Sequence, residues 1–196
     1  MEYFDLLERS ENGIVAFQMV APSPENSTLS YDGRYLPDWP NCNWTKGDLF
    51  DYFGVRNDRR FTHVQTFSAG IVLVKKCKNA VKIIDEWNAV IKNNFSLLDD
   101  TPSRSSNFDG FVDHRHDQAI FSLLCLKHKV TVLSAYEFWY PANLSYGILG
   151  MDWEALEDFP IHAKRDKKIG LLVRIRTKLI SSVRAMLRAK RRTRSG

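Results

Sequence analysis

Six consecutive polar side chains introduce an apolar segment of the chain: Asp113, His114, Arg115, His116, Asp117 and Gln118. The apolar residues that follow recur at helical spacing, at Ala119, Ile120, Leu123 and Leu124. This spacing predicts a helix with one buried face and with Asp117 and Gln118 in its first turn. Free backbone N–H groups and the positive end of the helix dipole favour an ionised carboxylate there.

The polar run has two interpretations. An ionised Asp117 beside an amide and two imidazoles can bind a polyhydroxylated ligand or assist proton transfer. Alternatively, Asp113 or Asp117 caps the helix, which is a frequent role of Asp at this position. Because Asp, His and Arg side chains are concentrated at one helix end, we weigh the two interpretations equally.

Trp39 and Trp44 lie at the end of a polar segment, 21–43, that is typical of a binding lid or a disordered loop. Indole rings stack on the flat apolar faces of sugars. A place in the hydrophobic core is the commoner role of Trp, so both roles remain open here.

The stretch Ser68, Ala69 and Gly70 precedes an apolar run at 71–74. The apolar run predicts a short buried strand. Small side chains before it allow the backbone to approach a ligand or a neighbouring strand closely. Either packing or binding explains them.

The composition predicts one globular domain, because 44% of the 196 residues are hydrophobic and 12% are aromatic. Cys42, Cys77 and Cys125 form no C-x-x-C pair, which argues against a disulfide framework and a structural zinc site. Acidic residues follow Met1, and no apolar run approaches the length of a membrane span. We therefore expect neither a signal peptide nor a transmembrane segment, and a cytoplasmic location.

The net charge of +5 is divided unevenly along the chain. Positions 163–196 carry 13 Lys or Arg and one Asp, whereas positions 1–162 carry 15 bases and 22 acids. The segment 169–196 also shows an apolar stripe at helical spacing, which predicts a basic amphipathic helix at the C-terminus. Such a helix favours an anionic membrane surface, so we expect a peripheral position on the inner face of the membrane.

The composition of this basic tail also bears on two other roles. A disordered or partner-binding tail would carry the same charge. Nucleic acid is not expected as a partner, because the tail lacks interleaved aromatic residues and the acidic body shows no recognition module.

Strand-like and helix-like segments alternate, which predicts an α/β domain. The predicted strands are 14–20, which reads as buried on both faces, 71–74 and 129–133. The predicted helices are 1–10, 44–53, about 80–91, and the helix that starts near Asp117.

The order of these segments resembles that of nucleotide-sugar glycosyltransferases of the GT-A type, in particular the glycogenin-like and the capsule or lipopolysaccharide transferases. The motifs that carry the resemblance are Ser-Ala-Gly-Ile-Val-Leu-Val at 68–74, Trp-Thr-Lys-Gly-Asp-Leu-Phe at 44–50, His-Arg-His-Asp-Gln at 114–118 and Pro-Ile-His-Ala-Lys-Arg at 160–165. The resemblance covers about residues 1–168, which we take as one domain, followed by the tail 169–196.

The resemblance implies roles for particular residues. Asp117 and Gln118 would contact the transferred sugar and the acceptor as the catalytic pair. His162 would ligate a divalent cation, Mn²⁺ or Mg²⁺, on the nucleotide diphosphate. The remaining substrate-binding residues would be Ser68, Ala69, Gly70, Trp44, Arg115, His116 and Lys164, the last on the phosphates.

The chain lacks the Asp-x-Asp metal motif of these enzymes, and one predicted buried strand precedes residue 60. It therefore resembles the C-terminal half of a GT-A fold, a mixed sheet flanked by helices without most of the nucleotide-binding half. The implied function is transfer of a sugar from a nucleotide-diphosphate donor to a glycan or lipid-linked acceptor, or the acceptor and sugar-binding half of such an enzyme.

Two alternative functions belong to other classes. One is a non-catalytic, membrane-associated binding protein derived from a transferase. The other is a metal-dependent hydrolase built on His114, His116, Asp117 and His162, which lacks the further acidic ligands that such sites need.

Overall fold

The computed structural model describes residues 3–34, 36, 38–141, 151–152 and 154–161; His162, Lys164 and the segment 169–196 lie outside them. The helices are α1 (Tyr3–Arg9), α2 (Asn41–Trp44), α3 (Gly47–Tyr52), α4 (Arg59–Thr62), α5 (Lys78–Asn93) and α6 (His116–His128). The strands are β1 (Ile14–Gln18), β2 (Phe67–Val74) and β3 (Thr131–Ser134), and 3₁₀ turns span Phe95–Leu97 and Ala135–Glu137. Within these residues, no helix has the length and apolar character needed to cross a bilayer.

The three strands form one small mixed sheet flanked by helices, which confirms the predicted mixture of α and β structure. Their order is β2-β1-β3, with β1 antiparallel to β2 and parallel to β3. Residues 14–17 of β1 have no exposed surface. The predicted burial of this strand on both faces is therefore confirmed, in keeping with its central place in the sheet.

The two faces of β1 contribute to different parts of the core, because successive side chains of a strand alternate. Ile14 and Ala16 pack in one cluster with residues of α5 and α6. Val15 and Phe17 pack in another with α1 and the aromatic segment after β3, where the rings of Phe17 and Phe138 lie 5.1 Å apart.

Helix α6 follows the polar run and is enclosed by the core. Its residues from 119 to 125 are all buried, so the helix has apolar neighbours on every side and not on one face alone. The hydroxyl of Ser122 accepts a hydrogen bond from the Phe67 backbone N–H at 2.7 Å, which ties α6 to the start of β2. Asp117 and Gln118 lie in the first turn of this helix, as predicted.

The predicted helix at 44–53 is wrong as a single element, because α2 and α3 are separated at Thr45 and Lys46. Thr45 has an extended backbone with φ −134° and ψ 130°. Lys46 is buried, and its Nζ donates to the Ser96 carbonyl at 2.9 Å. These tertiary contacts override the helical spacing of the sequence.

The strand predicted as buried at 71–74 is longer and more exposed than expected. β2 starts at Phe67, residues 71–73 are half-buried and Val74 is 45% exposed. β2 is exposed because it lies at an edge of the sheet, where it pairs with β1 alone among the described strands. β3 begins at Thr131 and not at 129, because Lys129 ends α6 in a left-handed conformation with φ 50°.

The described part of the loop 21–43 is held against the segment that follows β3. The Arg34 guanidinium pairs with Asp32 at 2.7 Å and with Asp152. It also lies 4.5 Å from the centre of the Tyr140 ring, whose hydroxyl donates to Asp32 at 3.0 Å. These contacts fix that part of the loop to the body of the domain.

Candidate functional site

The polar run before α6 is anchored to the end of α2. The N–H of Arg115 donates to the Trp44 carbonyl at 3.0 Å, and that of Val112 donates to the Asn43 carbonyl at 2.8 Å. The last carbonyl groups of a helix lack intrahelical partners, and here the incoming chain supplies them. Trp44 and Arg115, distant in sequence, are thereby brought into contact.

The side chain of His114 stabilises the fold. Its ring is buried, Nδ1 accepts a hydrogen bond from the Lys46 N–H at 3.3 Å, and Nε2 donates to the Leu97 carbonyl at 2.9 Å. Burial lowers the pKa of His114 to about 4, so the neutral ring is the favoured form. Both ring nitrogens are occupied by protein groups, and the hydrolase alternative therefore loses one of its proposed ligands.

The side chain of His116, in the same segment, is exposed, but it also stabilises the fold. Its Nδ1 lies 2.7 Å from the Leu98 carbonyl, and its Nε2 lies 3.6 Å from the Asp100 carboxylate. Its φ of 49° is in the left-handed region, which costs a residue with a Cβ about 1 kcal/mol. The resemblance implies a substrate-binding role for His116, whereas its contacts in the structure hold the segment 97–100.

Asp117 and Gln118 have no such structural partner. Asp117 is exposed and Gln118 half-buried, and neither side chain forms a hydrogen bond or ion pair with a described residue. The N-cap of α6 is Arg115, and no side chain caps the helix there. Asp113 is also not a cap, since its carboxylate accepts from the His114 N–H at 2.9 Å. The capping interpretation therefore receives no support.

Arg115 stacks on two indole rings. Its Cζ lies 4.6 Å from the ring centre of Trp44 and 5.1 Å from that of Trp39. The two indoles also stack on each other, with centres 5.1 Å apart and planes inclined by 29°. Both rings are half-buried, and these contacts use part of the ring surface on which a sugar would stack.

Trp39 is fixed by the ends of two strands. Its backbone N–H donates to the Gln65 side chain at 2.6 Å, and the Gln18 side chain at the end of β1 donates to the Gln65 carbonyl at 2.8 Å. Trp139, which follows β3, packs with its ring centre 6.5 Å from that of Trp39. The cluster thus lies at the carboxyl ends of the parallel pair β1 and β3, where α/β proteins commonly bind ligands.

Neither the contact of Trp39 with Arg115 nor its packing with Trp139 is predicted from the sequence. Residues 39, 44, 115 and 139 have no regular spacing that would place them together. The contact depends on the path of the chain between the elements.

The small residues of β2 coincide with an irregularity in the strand pairing. Ala16 lies opposite Val72 and Phe17 lies opposite Ser68, so residues 69–71 have no partner in β1. Such bulges are frequent beside active sites, because they redirect side chains. Gly70 is exposed, and a Cβ built there would meet only the Ser68 hydroxyl, at 3.7 Å. A side chain at position 70 would therefore extend into open space at this bulge.

The described residues contain no group of three His, Cys, Asp or Glu side chains that could hold a metal ion. His162 and Lys164, the predicted metal and phosphate residues, lie outside that part of the chain. A complete set of ligands for Mn²⁺ or Mg²⁺ is therefore not formed by the described residues themselves.

Comparisons with known proteins yield no relative from which a function can be transferred. The chain matches no protein-family model, no curated protein and no solved structure.

Proposed function

We propose that this chain forms the sugar and acceptor side of a glycosyltransferase that uses a nucleotide-diphosphate sugar. The observation that carries the proposal is Asp117, an exposed carboxylate in the first turn of a helix whose residues 119–125 are buried, without a structural partner in the described residues. The segment before α6 is anchored to α2 through Arg115 and Trp44, and a defined position of this carboxylate is what a group that contacts a reacting sugar requires.

The packing of α6 against β2 supports a sugar site that uses both elements. Ser122 ties α6 to the start of β2, which brings the helix beside the strand that contains the small-residue bulge. In the proposed site, Ser68, Ala69 and Gly70 line the transferred sugar, and Gln118 donates or accepts hydrogen bonds to its hydroxyl groups. Asp117 accepts the proton of the acceptor hydroxyl or stabilises positive charge that develops on the sugar.

A divalent cation would neutralise the leaving diphosphate in this reaction. His162 and Lys164 are the residues of this chain proposed to contact the cation and the phosphates. The carboxylates that complete such a site would come from a nucleotide-binding half. β2 has an unpaired edge in the described part of the sheet, so further strands can be added there to complete a GT-A-like sheet.

The basic segment 169–196 is proposed to hold the protein at the anionic inner face of the membrane. Nine of the thirteen basic residues in positions 163–196 lie in this segment and favour this location, since each basic residue near such a surface contributes about 1 kcal/mol. A lipid-linked acceptor would then lie close to the site.

The test is sugar transfer from a panel of nucleotide sugars to glycan and lipid-linked acceptors by the complete enzyme, in which a nucleotide-binding half accompanies this chain. We expect transfer from at least one donor. Gly70→Val should raise KM for that donor at least several-fold, because it fills the space at the bulge, while the thermal midpoint stays unchanged. Absence of transfer from every donor would overturn the proposal.

A further inference from the structure

The contact between Arg115 and Trp44 leaves two N–H donors without an acceptor. Nε of Arg115 and Nε1 of Trp44 are both buried, and neither donates a hydrogen bond within the described residues. The Arg115 Cζ lies 4.6 Å from the ring centre of Trp44, so both donors belong to one small region. Because unpaired buried donors are costly, this region is suited to a ligand that supplies acceptor oxygens.

Arg115 also lacks a counterion in the described part of the chain. Arg34, Arg56 and Arg60 each pair with a nearby Asp, at distances of 2.5 to 2.7 Å. No carboxylate of a described residue lies within ion-pair distance of Arg115. The two indoles hold its guanidinium in place by cation–π contacts, which reduces the conformational entropy lost on binding.

An unpaired indole N–H alone does not indicate a ligand site. Trp87 also has a buried Nε1 without an acceptor, and its ring stacks on Phe121 in the core at 4.7 Å. No cationic side chain lies over that ring among the described residues. The combination of an indole donor with an unpaired guanidinium distinguishes Trp44, since a guanidinium edge binds planar oxyanions through two parallel hydrogen bonds.

We propose that Arg115 and Trp44 bind the carboxylate or phosphate group of an anionic sugar. The oxyanion accepts hydrogen bonds from the guanidinium edge that contains Nε, and from the indole N–H. The sugar part of this ligand rests on the proposed glycosyltransferase function, whereas binding of its anionic group requires no transfer reaction.

Nitrogen-15 NMR of the full chain tests this site directly, because arginine Nε–H and indole N–H groups give their own signals. The probes are glucuronate for a carboxylate, glucose 1-phosphate for a phosphate, and glucose as the neutral control. Arg115→Lys and Trp44→Phe assign the two signals. The indole N–H of Trp87 and the Nε–H of Arg60 are internal controls, since the first is unpaired in the core and the second is paired with Asp58.

We expect one or both anionic sugars to shift the Arg115 and Trp44 signals in a saturable manner, and glucose to shift neither at the same concentration. The probe that binds more tightly identifies the anionic group. Arg115→Lys should weaken binding at least about tenfold, since it removes the planar edge and keeps the charge. Trp44→Phe keeps an aromatic ring for Arg115 and should weaken binding about two- to fivefold through the lost donor.

Equal shifts with glucose and with the anionic sugars would overturn the proposal, as would unchanged Arg115 and Trp44 signals with both anions. If Arg115→Lys fails to fold, Trp44→Phe decides, and binding as tight as that of the wild type would contradict the site. If the wild-type protein binds anionic sugars but transfers no sugar, the anion-binding site is supported and the proposed transferase function is refuted.

Discussion

The Nε2 atom of His114 donates a hydrogen bond to the carbonyl of Leu97 at 2.9 Å, within the core. Two positions later, His116 makes the same kind of contact with Leu98 at 2.7 Å. Arg115 and Asp117 form no side-chain hydrogen bond with the described residues. In this short segment, His114 and His116 thus stabilise the fold, whereas the side chains of Arg115 and Asp117 can form hydrogen bonds with a ligand.

The buried His114 predicts a loss of stability in weak acid. The pKa of His114 is lowered from 6.5 to about 4 in the folded protein, so the unfolded chain binds the proton more readily. Its stabilising contribution is therefore complete above pH 6.5 and decreases as the pH falls from 6.5 towards 4. By linkage the loss amounts to roughly 3 kcal/mol, measured by urea unfolding at pH 7, 5.5 and 4.5.

A His114→Gln variant is the control for this titration. It should be less stable than the wild type at pH 7, because a buried ring and its hydrogen bonds are lost. Its stability should depend less on pH between 6.5 and 4, because the titrating group has been removed. Equal pH dependence of wild type and variant in this range would show that His114 is not the group responsible.

The left-handed backbone of His116 predicts an unusual order of stabilities for two substitutions. His116→Ala loses the contact with Leu98 and keeps the strain of φ 49°, whereas His116→Gly loses the same contact and relieves the strain. We expect the Gly variant to be more stable than the Ala variant by about 1 kcal/mol. Thermal midpoints of the two variants provide the measurement, and a more stable Ala variant would contradict the strained conformation.

The sequence predicted the elements whose patterns are local. The apolar run of β1, the helical spacing of α5 and α6, and the place of Asp117 in the first turn of α6 all agree with the structure. In each of these segments, the periodicity of the side chains and their burial lead to the same conformation.

Contacts between distant segments could not be predicted in this way. The break between α2 and α3 depends on the buried Lys46, whose Nζ binds the segment at 96–101. The roles of His114 and His116 likewise depend on carbonyl groups at positions 97 and 98. Spacing shows that such side chains are close to one another, but not which of them face a ligand.

Deletion of residues 169–196 should release the protein from anionic vesicles without unfolding the body. The basic tail motivates this expectation, and its binding should weaken as salt screens the charges. Co-sedimentation with vesicles containing phosphatidylserine measures the effect, and vesicles of neutral lipid are the control. If the shortened chain sediments as the full chain does, the tail is not the membrane-binding element.

The role of Asp117 is tested by Asp117→Asn, with Asp113→Asn as the matched control. Both aspartates are exposed and lie near the start of α6. Asn at position 113 can still accept the hydrogen bond from the His114 N–H. Neither substitution should lower stability by more than about 1 kcal/mol, since the only expected loss is a favourable charge at a helix N-terminus.

The most direct measurement is the sugar-transfer rate of the complete enzyme and of these two variants, with thermal midpoints determined on the same samples. Loss of the carboxylate at position 117 should lower the rate by about 10²- to 10⁴-fold, as is typical for a group that transfers a proton or stabilises charge in the transition state. Asp113→Asn should remain within a few-fold of the wild type. Transfer by Asp117→Asn at a rate within a few-fold of the wild type would contradict the proposed site.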